Sequence, residues 1–353
     1  MGTNDALVPP AAPAHGEASR RRMGPVGLAV TLGLLGLLFC IAGLAAGSSG
    51  WSFHWGEEPW IIWSIRAPRT LGALGAGALL GLGGAIAQGV FRNPLADPYL
   101  LGSASGATLA VIGVLSVANA TGHAGFTGTG AAEWLMSLGL VGAAFAGALG
   151  GVGLTLAFAR GTRRPVVLML SGIVVGVLLG AVANLAMLIS PDAMRNAQVF
   201  LIGSTSFLGW RNLTPIAATL AITLPLAIRY SRALDALVLG EATATSLGID
   251  ITRVRWLLIA TMALCTATAV AETGLIGFVG LVAPHLVRRS VVVTHGTLLA
   301  LAALSGGVLL LGADVVSRVA LAPQELPVGL LTAVIGGGYL LVLLRGRVPD
   351  GEM

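Results

Sequence analysis

Residues 66–107 read RAPRTLGALGAGALLGLGGAIAQGVFRNPLADPYLLGSASGA, an apolar, glycine-rich run broken by the turn Asn93-Pro94-Leu95-Ala96-Asp97-Pro98. Two prolines forbid the helix to continue, and Asn93 and Asp97 can hydrogen-bond their own turn. Asn93, Pro94, Asp97 and Pro98 are therefore expected to form a rigid structural corner after a helix over about 70–90. Within that helix Ala73, Gly77, Gly81 and Ala85 recur at four-residue spacing, which lets helix backbones approach closely in lipid.

The rest of the chain reads the same way. Hydrophobic residues make up 56% of the 353, charged residues 10%, and mean hydropathy is +0.90, whereas soluble domains carry about 25% charge. A lipid-crossing helix needs roughly 20 apolar residues. Runs near 26–46, 70–90, 98–118, 133–158, 166–189, 212–229, 254–272, 276–287, 297–317 and 328–344 predict an all-α polytopic membrane protein of about ten transmembrane helices. The eighth run is too short to cross unaided and predicts a re-entrant start at Gly277 to Gly280, allowed where backbone is buried in protein. The expected organisation is a disordered N-terminal tail (1–22), one membrane domain (23–347) and a short C-terminal tail (348–353). The first apolar run exceeds the roughly 7 to 15 residues of a signal peptide, so an uncleaved first span is expected.

All 20 basic residues are arginines, and they give a net charge of +5. Short cytoplasmic loops collect positive charge. Arg20 to Arg22, Arg92, Arg160, Arg163, Arg164, Arg229, Arg232, Arg253, Arg255, Arg288, Arg289, Arg345 and Arg347 fall on one side of the expected spans. Arg66, Arg69, Arg195, Arg211 and Arg318 fall on the other. This predicts an even number of spans with both termini cytoplasmic, and it explains the basic balance by topology rather than by nucleic acid. With no lysine the chain has no P-loop, so ATP chemistry of that type must come from another protein. Cys40 and Cys265 sit in apolar runs as small hydrophobes.

Three places carry possible function. In the loop Asp235-Ala-Leu-Val-Leu-Gly-Glu-Ala-Thr-Ala-Thr-Ser-Leu-Gly248, Asp235 can cap a short helix and Gly248 can end one. A helix this short is marginal in water, so docking onto a partner and an ordinary connector both stand open. Arg66 and Arg69 flank Pro68, and Arg318 lies one turn after Asp314, close enough to pair with it; interfacial arginines also snorkel without other purpose. Gly172, Gly176, Gly180 and Asn184 form a small polar-ended stripe that suits either helix packing or a pathway. A weak echo between 66–98 and 253–284 suggests a duplicated half.

Together the Asn-Pro-Leu-Ala-Asp-Pro turn, Gly240-Glu241, Gly280-Leu-Val-Ala-Pro-His285 and Glu325-Leu-Pro-Val-Gly329 resemble the permease subunits of ATP-binding-cassette importers for iron siderophores, haem and vitamin B12. The resemblance implies a bundle like the vitamin B12 importer permease, working as a homodimer or pseudo-symmetric pair in the bacterial inner membrane with the pathway between subunits. It implies a coupling loop at 235–250, in which Gly240, Glu241, Ala244, Leu247 and Gly248 seat in one of two cytoplasmic ATPases that hold ATP and magnesium. It implies that Arg66, Arg69 and Arg318 receive acidic residues of a periplasmic or lipoprotein binding protein, which favours docking register and encounter rate. It further implies that Gly172, Gly176, Gly180, Asn184 and the loop 161–165 line or close the pathway, and that this chain binds no cofactor. The cargo would be a ferric siderophore, haem or cobalamin.

Two other readings are weighed against this. An intramembrane serine protease would use Gly102-Ser-Ala-Ser105-Gly106 with His285, but serine needs a base within hydrogen-bond reach. An ion-coupled secondary transporter needs several acids within spans, and only Asp314 stands out. His15, His54, His123, His285 and His295 are scattered without metal-ligand spacing.

Overall fold

Backbone in lipid must satisfy its own hydrogen bonds, so long apolar runs become helices. In the computed structural model, which describes residues 23–47, 50–51, 59–120, 131–159 and 165–345, they do. The expected tails, Arg20 to Arg22, Arg160, Arg163, Arg164, Arg347, His15, His54, His123 and residues 161–164 lie outside the described residues.

Among the described residues thirteen helices follow in order: α1 (Pro25–Ala45), α2 (Pro59–Phe91), α3 (Ser103–Ala120), α4 (Ala131–Phe158), α5 (Pro165–Ile189), α6 (Pro191–Ile202), α7 (Trp210–Arg229), α8 (Ser231–Val238), α9 (Glu241–Ser246), α10 (Ile251–Thr273), α11 (Val279–Ser290), α12 (His295–Val319) and α13 (Val328–Arg345). A two-residue antiparallel pair, β1 (Ala46–Gly47) and β2 (Gly50–Trp51), follows α1. Ile62–Arg66 of α2 is wound as π-helix.

Eight of these helices are long and apolar enough to cross a membrane. The count of ten is reached only by adding α11, of 12 residues, and α13, whose apolar part is Val328–Leu343. The expected third span starts at Ser103 rather than 98, because Pro98–Leu101 forms a separate 3-10 turn. One helix was not foreseen: α6 has an apolar face but carries Asp192, Arg195, Asn196 and Gln198, so a hydropathy scan passes over it.

The core sits along α2, α12 and α10, whose spans are 83%, 72% and 67% buried, against 22% for α1, α5 and α7. Glycine makes this possible. A Cβ on Gly77 would overlap the Gly306 carbonyl, and one on Gly81 would overlap that of Ala302, so the small stripe of α2 is where α12 packs. At Gly84 the neighbour is the carbonyl of Gly280, which brings α11 onto α2.

The eighth run behaves as its length requires. Its helix starts only at Val279, after Phe278 with a left-handed φ of 69°. Gly336 of α13 leaves the room that the Phe278 side chain fills. The amides of Leu281 and Val282 both bond the Phe278 carbonyl, at 3.1 and 2.8 Å.

Candidate functional site

At the arginine-rich end α2 stops in a left-handed residue, Arg92 (φ 49°), and Asn93 N–H returns to the Gln88 carbonyl at 3.2 Å. The corner that follows is a hydrogen-bonded turn. Asn93 Oδ1 accepts from Leu95 N at 2.9 Å, and Asp97 Oδ1 accepts from Tyr99 N at 2.8 Å. Tyr99 donates its hydroxyl to the Ile276 carbonyl at 3.1 Å, which ties the corner to the start of the half-span. Desolvation pushes the Asp97 carboxyl up to about 6, with the bond from Tyr99 N opposing.

The loop expected to dock holds two short helices, α8 and α9. Gly240, at φ 111°, lets the chain turn between them. Beyond α9, Gly248 (φ 76°) bonds Thr245 O at 2.9 Å and Ile249 bonds Ala244 O at 3.2 Å. This is a Schellman ending, in which a left-handed glycine satisfies the last carbonyls. Ala244 faces inward, whereas Leu239 and Leu247 are 69% and 65% exposed. Two apolar side chains this open, flanking a six-residue helix, are the surface a partner would cover.

One detail of the loop differs from expectation and a second adds to it. Asp235 caps no helix of the loop: it lies within α8 and reaches the start of α12, accepting His295 N at 3.0 Å and meeting His295 Nδ1 at 2.7 Å. Glu241 does not point at open solvent alone. Its Oε1 pairs with Arg255 at 2.8 Å and lies 3.6 Å from Arg92, so α9 is tied to both α10 and the end of α2.

At the opposite end the three expected docking arginines turn inward. Asp314 is fully buried, and one of its oxygens receives Arg69 at 3.0 Å and Thr205 Oγ1 at 2.5 Å. Its other oxygen is taken by Arg318, one turn along α12. Arg69 continues to Glu325 at 2.7 Å, and Glu325 also accepts from Ser206 at 3.1 Å. Arg318, 1% exposed, donates to the Gly43 carbonyl at 2.7 Å and lies 3.3 Å from Thr70. Arg66 is half-buried and donates to Leu44 O at 3.0 Å. Arg69 and Arg318 are thus buried, 6% and 1% exposed, and Arg66 alone of the three is partly open. Asp314 is the structural ion-pair member that its spacing to Arg318 suggested.

The stripe of α5 is also used internally. A Cβ on Gly172 would overlap the Leu100 carbonyl, and Gly176 and Gly180 lie beside Gly102 and Ser105. These glycines seat α5 on the turn and the start of α3, and of the four only Asn184 is exposed. Ser105 thus faces α5, while His285 meets Tyr339 edge-on at 5.8 Å; the two have different neighbours. Among the described residues no three His, Cys, Asp or Glu side chains cluster as a metal would need.

Sequence reasoning missed the partners more than the residues. Arg92 and Arg255 were placed only by side, and Glu325 only as part of a landmark; Thr205 and His295 had no role. Their partners lie 14 to 256 positions away, beyond any local spacing rule.

A model of the FecCD transport family matches residues 28–346. The hemin transport system permease protein HmuU of Yersinia pestis is 37% identical over 331 residues, covering 90% of this chain and 96% of its own. The cobalamin import system permease protein BtuC of Halobacterium salinarum is 36% identical over 289 residues, 81% of this chain and 74% of its own. The Fe(3+) dicitrate transport system permease protein FecD of Escherichia coli is 36% identical over 289 residues, 82% and 86%. Among solved structures, an inward-facing metal-chelate type ABC transporter superposes with a TM-score of 0.77 at 30% identity, over 92% of this chain and all of that one.

Proposed function

The chain belongs to the FecCD transport family, whose members are membrane permease subunits of ABC importers and not themselves catalysts, and on that premise we propose that it forms the pathway for a metal chelate. The cargo class is a ferric siderophore, haem or cobalamin; the relatives' names carry Fe(3+) dicitrate, hemin and cobalamin. Two copies form a homodimer with the pathway between them, in a bacterial inner membrane. The arginine-rich end faces the cytoplasm, as short basic loops do.

Family membership entails a separate ATPase and a substrate-binding protein as partners. Two ATPase subunits, carrying ATP and magnesium, seat the 235–250 loop. The observation that supports this most is the exposed pair Leu239 and Leu247 beside α9, backed by the tie of Glu241 to Arg92 and Arg255. Within the loop Gly240 and Gly248 give the turns, Ala244 packs inward, and Leu247 seats in the ATPase. Glu241 passes the load to α2 and α10.

At the other end the binding protein brings acidic residues to the rim around Arg66, while Arg69 and Arg318 hold that rim from beneath. Asn184 stands on the pathway side of α5, and the glycines before it position that helix. The corner at Asn93, Pro94, Asp97 and Pro98 is structural.

The test replaces Leu239 and Leu247 with glutamate in the detergent-purified importer. The ATPase subunits should no longer copurify, while membrane insertion and thermal unfolding of the permease stay unchanged. Full copurification would remove the coupling assignment.

A further inference from the structure

Between the loop and the long helix α12 lies a contact that the proposed coupling does not by itself require. Asp235, in the middle of α8, places one carboxylate oxygen on both the backbone N–H and the ring Nδ1 of His295, the first residue of α12. A carboxylate only accepts, so the ring nitrogen facing it carries the hydrogen. The first amides of a helix have no partner within the helix, and an anion there is favoured by the helix dipole. The residue in the usual capping position, Thr294, makes no such bond with its side chain.

A cap from another helix is a mechanical link as well as a satisfied donor. Two more contacts reinforce it. Ser231, at the start of α8, lies against Gly296, where a Cβ would come within 3.1 Å of its hydroxyl. The His295 ring packs beside Gly89 near the end of α2.

From that hook α12 runs 25 residues, about 37 Å at helical rise, with no proline to bend it. At its far end it carries Asp314 and Arg318, the centre of the buried ion network that also holds Arg69, Thr205 and, through Arg69, Glu325. One continuous helix thus joins the loop to the opposite rim.

We propose that Asp235 and His295 are positioning residues that hook α8 to α12, so that movement of the coupling loop reaches the Asp314 end along one continuous helix. The hook is distinct from the Glu241 tie, which loads α2 and α10. This inference rests on the coupling role proposed for the loop.

The experiment uses the complex with its ATPase subunits, with Cys40 and Cys265 replaced by alanine. Spin labels go on two exposed pairs: Arg232 of α8 with Phe158 near the loop, and Val316 with Val117 at the opposite end. A non-hydrolysable ATP analogue should change both distances by about 2 Å or more, in the range of helix shifts in switching proteins. In H295A the Arg232 pair should still respond, and the Val316 response should fall to less than half. H295N, whose amide can occupy the place of Nδ1 and donate to Asp235, should restore it. An undiminished Val316 response in H295A overturns the proposal, and so does an H295N that behaves as H295A, since that marks a merely structural role. A silent Arg232 pair in the unaltered complex removes the coupling assignment and this inference together; a responsive one with Val316 indifferent to H295A removes this inference alone.

Discussion

The two ends of the molecule handle charge in opposite ways. At the Asp314 end, two guanidinium groups and a carboxylate are sealed inside the protein, each bonded to more than one partner. At the arginine-rich end, Glu241 sits at the surface, 37% exposed, shared by Arg255 and a more distant Arg92. Buried pairs are costly to disrupt because the remaining charge is stranded, whereas surface pairs contribute little and exchange readily. The contrast gives a fixed rim at one end and an adjustable joint at the other.

The sharpest way to break the contrast is Asp314→Ala, which leaves Arg69 and Arg318 without their shared anion. A loss of about 3 to 5 kcal/mol is expected, read as a large fall in thermal unfolding temperature, with Asp314→Asn milder. Stability close to that of the unaltered protein would mean that the rim is not fixed by this network.

Next in size is Gly84→Ala, midway between the ends. Its methyl would meet the Gly280 carbonyl, and forcing α2 and α11 apart should cost about 1 to 3 kcal/mol and lower transport. A neutral result would show that the close approach can relax.

Glu241→Ala probes the joint itself. Thermal stability should fall by no more than about 1 kcal/mol, yet ATP-driven uptake into vesicles should drop severely. Parallel losses in both would make Glu241 part of the fold rather than of the joint.

The smallest effect concerns Asp97. Its folded-state value near 6 lies above the unfolded one, so the folded protein binds the extra proton. Its contribution to stability is full below about pH 4 and is lost as pH rises to 6. Asp97→Asn should flatten that part of the melting-temperature profile, and an unchanged slope would place the titration elsewhere.

Legibility followed the range of the forces involved. Spans were visible because a helix in lipid must be apolar along its whole length, and the Asp314–Arg318 pair because four residues make one turn. The turn at 93–98 was visible because proline and asparagine act on their own neighbourhood. The Arg69–Asp314 bond joins residues 245 apart, and nothing near Arg69 announces its partner. The orientation of the α5 glycines was illegible for a related reason: glycine at four-residue spacing says that something comes close, not what. Helix α6 escaped because one apolar face among polar residues leaves mean hydropathy low.

The half-span α11 has a consequence for biogenesis. Its twelve residues carry Arg288 and Arg289 in the last turn, and twelve fall well short of the roughly 20 apolar residues that a lipid-crossing helix needs. Such a segment has neither the length nor the greasiness to partition alone as the ribosome delivers it. Its entry has to await a neighbour, and the neighbour already made is α2, whose Gln88 amide grasps the Leu281 carbonyl at 3.1 Å. A chain truncated after Thr294 and released from the ribosome should therefore already shield single cysteines introduced at 279–290 from water-soluble thiol reagents, and Gly84→Ala, which blocks the approach of α2, should leave them accessible.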